Sequence, residues 1–402
     1  MRKSSLFVSA LGLGIAGIIG VQNAAALSDV PAGVPVPAEK PLGFAPMKAE
    51  PPSFETTGTI PKTSSPAAQV NPLLKAGLDA LSDKDGAKAF AIRDRMAAGL
   101  DRHMLTWSIA MSGLRDVSSS EIATAQRDLK GWPGLKSFRA NSERALYREN
   151  PSPKGVLAAF GNSEAETTEG AMLLARAHLA TGNTAQAAKV IRKLWHEDGL
   201  DKPTEDRILG EFAALLRPAD HKTRMDYLMY RGRASQAKRF SSLGEAQSLY
   251  NAWAALIQKS SNTGALIKAV DSRWASDPAY LFIRIENLRR QDKYEDAAKL
   301  LEQMPRDKAK LINTGEWWNE QRIVARGLAD LGKFRAAYQV TARHAASETA
   351  DVADAEFHAG WYALRYLNDP KAATKHFQRI LEVSNRPLSA SRGWYWLGRA
   401  AE

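Results

Sequence analysis

Tryptophan and arginine residues in the last third of the chain are the side chains best suited to bind a ligand. An aromatic ring can stack on the face of a sugar, and a guanidinium group can pair with a carboxylate in a fixed geometry. At helical spacing, however, large rings more often fill the seams between packed helices, so this alternative stays open for each of them. The candidates for glycan contact are Trp317, Trp318, Arg322, Trp361, Arg365, Trp396 and Arg399.

The sequence contains no pattern typical of a metal or nucleotide enzyme. It has no cysteine, which excludes disulfides, a thiol nucleophile and cysteine-rich zinc sites. There is no H-E-x-x-H pair to hold a metal, no phosphate-binding P-loop and no G-x-G-x-x-G segment. We therefore predict neither a metal site nor a bound cofactor. The seven histidines are scattered, at His103, His178, His196, His221, His344, His358 and His376.

The elements that must position these side chains are predicted to be helices throughout. No stretch shows the sustained alternation of β-branched residues that is typical of strands. Three helix starts are indicated by capping residues: Ser163-x-x-Glu166, Asn313-x-x-Glu316, and Asp277 followed by Pro278. Apolar residues follow each of them at helical spacing. The fold class is therefore predicted to be all-α.

These helices are predicted to occur in similar pairs. A tight turn follows one helix, and alanines then open the next, which allows two helices to approach closely. This tetratricopeptide-like helix–turn–helix pattern predicts a superhelical ring or solenoid, because such a pair cannot bury its apolar face alone. The turns lie at Gly182-Asn183-Thr184, Asp292-Lys293-Tyr294, Gly332-Lys333-Phe334 and Asn368-Asp369-Pro370.

The N-terminal part of the chain has the features of an export signal followed by a spacer. Arg2 and Lys3 precede an uncharged apolar stretch, and Ala24 and Ala26 form an A-x-A cleavage site. We predict a signal peptide at 1–26; an uncleaved membrane anchor is the alternative, although the apolar stretch is short and contains four glycines. Residues 27–70 are rich in proline, which predicts a disordered linker.

Several helical segments combine aromatic, arginine and alanine residues in an order more specific than a generic repeat. They are Trp132-Pro133-Gly134-Leu135, Ala171–Trp195, Trp317–Arg322, Ala325–Gly332, Ala355–Leu367 and Tyr395–Ala400. The most specific of them reads A-E-F-H-A-G-W-Y-A-L-R-Y-L. In this order, and over about Asn71 to Glu402, they resemble the helical region of soluble lytic murein transglycosylases.

The resemblance implies a location, an activity and a partner. Members of the family are periplasmic and cleave peptidoglycan glycan strands between N-acetylmuramic acid and N-acetylglucosamine, which leaves 1,6-anhydromuramyl products. A single Glu, followed by Ser in a lysozyme-like domain, acts as acid and then as base. This sequence contains no Glu-Ser dipeptide, so no catalytic residue is assigned. The resemblance therefore implies a helical scaffold that is inert alone, with peptidoglycan as its partner.

Domain boundaries and partners complete the sequence-based predictions. We expect a superhelical domain at 71–384 and the start of a helical linker region at 385–402, truncated because the last helix lacks a stop signal. A natural stand-alone scaffold is the alternative to truncation. The alternative function is a periplasmic repeat protein that binds other periplasmic cell-wall proteins.

The net charge of +11 fits attraction to peptidoglycan carboxylates, although lysine and arginine also simply solvate helix surfaces. Nucleic acid is not an expected partner, because export separates the protein from it and no binding motif accompanies the charge. We also expect no stable membrane anchor once the signal peptide is cleaved.

Overall fold

The computed structural model describes residues 71–197 and 199–402, and every regular element in these ranges is a helix. The prediction of an all-α solenoid of helical repeats is confirmed. Within the same ranges, no helix combines the length and the apolar character that a membrane span requires. The predicted signal peptide with its cleavage site at Ala24 and Ala26, and the predicted linker at 27–70, lie outside the described residues and stay predictions.

Twenty α-helices follow one another in the described part, with three short 3₁₀ turns between them. The 3₁₀ turns are Ala213–Leu215, Ser272–Trp274 and Lys308–Lys310. The α-helices are α1 (Pro72–Ser82), α2 (Gly86–Asp94), α3 (Leu100–Ser112), α4 (Ser119–Asp128), α5 (Leu135–Glu149), α6 (Pro153–Phe160), α7 (Thr168–Ala180), α8 (Thr184–Glu197), α9 (Lys202–Phe212), α10 (Pro218–Tyr230), α11 (Ala234–Leu243), α12 (Gln247–Ile257), α13 (Thr263–Lys268), α14 (Pro278–Arg289), α15 (Tyr294–Leu301), α16 (Thr314–Asp330), α17 (Phe334–Ala342), α18 (Thr349–Tyr366), α19 (Pro370–Val383) and α20 (Pro387–Ala401).

All four predicted hairpin turns join consecutive helices in the structure. Each contains one residue in the left-handed backbone region, with φ between 51° and 79°, which reverses the chain after the first helix. Glycine adopts this conformation without strain, and Asn tolerates it better than most residues. Further turns of this kind were not predicted from the sequence, and they include those at Lys84, Gly232, Glu245 and Lys259. In the four predicted turns the left-handed residues are Gly182, Asp292, Gly332 and Asn368.

Two of the three predicted helix caps are confirmed, and one is wrong. Asn313 accepts a hydrogen bond from the Glu316 backbone N–H at 3.1 Å, and Asp277 caps α14 directly before Pro278. The predicted cap at Ser163 is wrong because α7 starts at Thr168, with Thr167 as its N-cap.

The start of α7 is displaced by a contact from another helix. The buried carboxylate of Glu143, on α5, accepts hydrogen bonds from the backbone N–H groups of Glu166 and Thr167. It also accepts one from the Thr167 hydroxyl at 2.8 Å. These bonds hold the chain in a non-helical conformation up to Thr167, which then caps α7 itself.

Helices pack mainly on those one or two positions away in the chain, as expected for stacked hairpins. The alternate helices α10, α12, α14 and α16 contact one another through four buried rings, here named the aromatic column. Its members are Tyr230, Trp253, Phe282 and Trp317, with neighbouring ring centroids 4.7–6.0 Å apart. The Trp317 indole N–H donates a hydrogen bond to the Tyr230 hydroxyl at 3.0 Å, so these two polar groups of the column are paired with each other.

Close helix approach also depends on glycines that face aromatic rings. A Cβ on Gly327 of α16 would lie 2.4 Å from a ring carbon of Tyr294, on α15. A Cβ on Gly360 of α18 would lie 2.5 Å from the Phe377 ring, on α19. These distances are far below van der Waals contact, so the two helix pairs can pack this closely only where no side chain is present.

We predict that Gly327→Ala destabilises the protein by about 1–3 kcal/mol, because the added methyl group must push the Tyr294 ring away. The gain in helix propensity, about 1 kcal/mol, is too small to offset this. Gly210→Ala is the matched control, since Gly210 lies in α9 with no atom within 4 Å of the added Cβ. Urea unfolding should give a lower free energy of unfolding for the first variant and an equal or higher one for the second. Equal midpoints for both variants would contradict the packing argument.

Candidate functional site

The structure separates the predicted ligand-binding residues into buried and accessible ones. Trp317 and Trp318 are 0% and 2% exposed, so both rings pack inside the protein, as the alternative of core packing expects. Their faces are not available to a ligand in this conformation. Trp361 and Trp396 are half-buried, whereas Arg365 and Arg399 are exposed. Glycan contact at these accessible positions stays a prediction.

Asp354 of α18 brings several of these residues together. Its carboxylate accepts a hydrogen bond from the Trp318 indole N–H at 3.2 Å and pairs with Arg322 at 3.2 Å. From the other side, Arg392 of α20 lies 3.8 Å from the same carboxylate. One side chain therefore connects α16, α18 and α20. The sequence reading did not single out Asp354, since its role depends on contacts from two other helices.

The residues of this region follow helical spacing on their own helices. On α16, Trp318, Arg322 and Arg326 are four residues apart. On α18, Asp354, His358 and Trp361 are four and three residues apart. Each set therefore lies along one face of its helix, and this spacing is the signal that could have predicted the site.

A cleft of about 560 Å³ opens between α16 and α18, and we name it the α16–α18 cleft. The Trp361 ring lies in it, with the ring centroids of Tyr362 and Tyr366 at 5.3 and 5.1 Å. Phe334 stacks on Tyr366 with a centroid distance of 3.8 Å. These contacts fix the Trp361 ring from one side. The lining residues are Arg326, Ala329, Asp330, Phe334, Phe357, His358, Trp361, Tyr362 and Tyr366.

His358 orients an arginine at the rim of the cleft. Its Nδ1 donates to the Asp354 backbone carbonyl at 2.8 Å, which leaves Nε2 to accept a hydrogen bond from Arg326 at 3.4 Å. Burial lowers the pKa of His358, and the nearby charges of Arg326 and Arg322 lower it further, against the opposing effect of Asp354. The imidazole is therefore neutral at neutral pH, as an acceptor for a guanidinium must be.

Arg326 itself has no acidic partner in the described part of the chain, where no carboxylate lies within 4 Å of it. Its guanidinium group is exposed, and it donates a hydrogen bond to the neutral imidazole of His358. The arrangement therefore presents a positive charge, held at one point, beside the Trp361 ring. Such a combination suits a ligand with a flat or apolar face and a polar or anionic edge.

Glu356 holds α18 from its other side. Its carboxylate accepts a hydrogen bond from His376 Nδ1 at 2.6 Å and lies 3.3 Å from His344 Nε2. Burial alone would raise the pKa of Glu356, but hydrogen bonds and charge from the two histidines outweigh burial and lower it to about 2. The carboxylate is ionised at neutral pH and is therefore unsuited to act as a general acid.

In residues 71–197 and 199–402, no group of three or more His, Asp or Glu side chains could hold a metal ion. The prediction that the protein uses no cofactor stays a prediction.

Comparison with known proteins gives one kind of match. No family model matches the sequence, and no curated protein matches it. Among solved structures, the chain is similar to the 70 kDa soluble lytic transglycosylase from Escherichia coli, with a TM-score of 0.44 and 13% sequence identity. The match covers 77% of this chain and 55% of that structure, so the chain spans little more than half of that protein's length.

We predict that ionisation of Glu356 makes the free energy of unfolding depend on pH in the acid range. The pKa of Glu356 is depressed from 4.5 in the unfolded chain to about 2 in the folded protein. The contribution of Glu356 to the free energy of unfolding is therefore fully present above pH 4.5. It is lost as pH falls through about 2, where the native carboxylate is protonated as well. The loss corresponds to about 3 kcal/mol.

Glu356→Gln should therefore be less stable than the parent at pH 6, and the difference should shrink as pH falls from 4.5 to 2. Urea unfolding at several pH values measures this. Glu302→Gln is the control, because Glu302 is exposed and forms no ion pair with the described residues. Parallel stability profiles for the parent and the Glu356 variant would show that the two histidines do not stabilise this carboxylate.

Proposed function

We propose that this chain is the helical, non-catalytic part of a periplasmic lytic transglycosylase and that its α16–α18 cleft binds glycan strands of peptidoglycan. In the complete enzyme, those strands would be cleaved to 1,6-anhydromuramyl products. The ordered resemblance from Asn71 to Glu402 supports the family assignment. The observation that carries the binding proposal is the half-buried Trp361 ring in an open cleft, with Arg326 beside it.

The geometry of the cleft fits a saccharide for two physical reasons. A ring that is already fixed by Tyr362 and Tyr366 loses little conformational entropy when a sugar stacks on it. The rim supplies hydrogen-bonding groups of both kinds, since Arg326 donates and the Asp330 carboxylate accepts. Saccharides need both, because each hydroxyl group is a donor and an acceptor.

The net charge adds a long-range attraction. The chain carries a charge of +11, and peptidoglycan carries carboxylates on its peptide stems. At physiological salt this attraction acts over about 8 Å, so it helps the protein to approach the cell wall but does not select a position on it. The position at which the protein binds on the cell wall must therefore be determined by short-range contacts such as those in the cleft.

A protein partner is the second candidate function, and one surface favours it. On α20, Leu388, Trp394 and Tyr395 are 75%, 66% and 62% exposed. Large apolar side chains grouped on one helix are frequent where another protein docks. The alternative function is therefore a repeat protein that binds another periplasmic cell-wall protein through this helix.

We predict that the purified chain sediments with peptidoglycan sacculi and releases no 1,6-anhydromuropeptides from them. Trp361→Ala should reduce the bound fraction at least fivefold, because it removes the ring on which a sugar would stack. Trp394→Ala is the matched control and should bind as the parent does, since Trp394 lies outside the cleft. Thermal melting of each variant checks that it is folded.

Three results would count against the proposal. Equal binding by both tryptophan variants would exclude the cleft as the glycan site. Failure of the parent to bind sacculi, together with recovery of one periplasmic protein that Trp394→Ala no longer retains, would favour the protein-binding alternative. Release of anhydromuropeptides by this chain would exclude a non-catalytic role.

A further inference from the structure

We propose that the α16–α18 cleft selects acidic saccharides, with the sugar ring against Trp361 and its carboxylate on Arg326. This inference rests on the proposed function and names the class of sugar that the cleft prefers. A neutral saccharide could use the aromatic ring alone. A sugar that carries a carboxylate could use the ring and the guanidinium group at the same time.

The state of Arg326 is the first argument. Two neighbouring arginines, Arg322 and Arg392, both lie within ion-pair distance of the Asp354 carboxylate. Arg326 differs because it donates a hydrogen bond to the neutral His358 ring. A neutral acceptor orients the guanidinium group without neutralising it. The positive charge therefore remains available to a ligand, and its other N–H groups can form a bidentate pair with a carboxylate.

The charges that line the cleft are the second argument, because they fix where an anion can bind. Arg326 and Asp330 are its charged lining residues, whereas Arg322 and Arg392 share the Asp354 carboxylate and do not line it. The lining thus carries one positive and one negative charge, and the favourable position for an anion is at Arg326 itself.

Asp330 opposes this preference from the other end of the cleft, one turn beyond Arg326 on α16. Because like charges repel, a bound carboxylate should lie at the His358 end of the cleft rather than near Asp330. This orientation would place the remainder of the sugar over the Trp361 ring.

The test compares two tetrasaccharides of equal length with the full chain. One is the neutral β-1,4-linked N-acetylglucosamine oligomer, and the other alternates N-acetylglucosamine with N-acetylmuramic acid that bears free lactyl carboxylates. Calorimetry at low salt should show about tenfold tighter binding of the acidic oligomer, which corresponds to about 1.4 kcal/mol. The preference should disappear at about 1 M salt, where screening extends to about 3 Å.

Variants separate the role of Arg326 from a general effect of charge. Arg326→Gln should remove the preference, because it should lower the affinity for the acidic oligomer about tenfold. The loss of affinity for the neutral oligomer should be smaller. Asp330→Asn should increase the affinity for the acidic oligomer. Arg335→Gln is the matched control, because Arg335 is exposed on α17 but does not line the cleft, and it should bind both oligomers as the parent does.

The outcomes distinguish this inference from the proposal on which it rests. Equal affinity of the parent for both oligomers would overturn the inference and leave glycan binding intact. The inference would also be overturned if Arg326→Gln lowered the affinity for both oligomers equally, or if Arg335→Gln removed the preference for the acidic oligomer as well. Binding of neither oligomer, with no effect of Trp361→Ala on sacculus binding, would overturn the proposed function itself.

Discussion

Each helical hairpin of this protein leaves an apolar face that only the next hairpin can cover, and the rest of the structure depends on this constraint. The aromatic column shows how it is met, since Tyr230, Trp253, Phe282 and Trp317 come from four alternate helices and share one buried seam. The bond between Trp317 and Tyr230 then fixes α16 relative to α10. Because α16 also carries Arg326 and Asp330, the packing of the core determines where the rim of the cleft lies.

The electrostatic contacts of α18 complete the positioning of the site. Asp354 and Glu356 are two residues apart, so their side chains point to nearly opposite sides of the helix. Asp354 contacts Trp318, Arg322 and Arg392 on the neighbouring alternate helices. Glu356 binds His344, in the loop after α17, and His376 of α19. With α18 held from both sides, Trp361 has a defined position although its ring is half-buried.

Local signals in the sequence were sufficient to predict the fold, but they were not sufficient to predict the candidate site. Hairpin turns and the caps at Asn313 and Asp277 follow from residues a few positions apart, so the sequence predicted them correctly. The cap at Ser163 failed because Glu143, about twenty residues earlier, binds the same backbone segment. In the same way, Trp318 and Trp361 look alike in sequence, and only the packing of neighbouring helices makes one buried and the other accessible.

The near-neighbour packing of the helices has a mechanical consequence. Since most contacts join elements close together in the chain, a pulling force along the solenoid would detach one hairpin after another instead of breaking the whole core at once. The Asp354 junction binds three successive alternate helices, so it should resist extension more than a seam with apolar contacts alone. A load applied by a polymer bound at the cleft would therefore act next to a junction that links three helices.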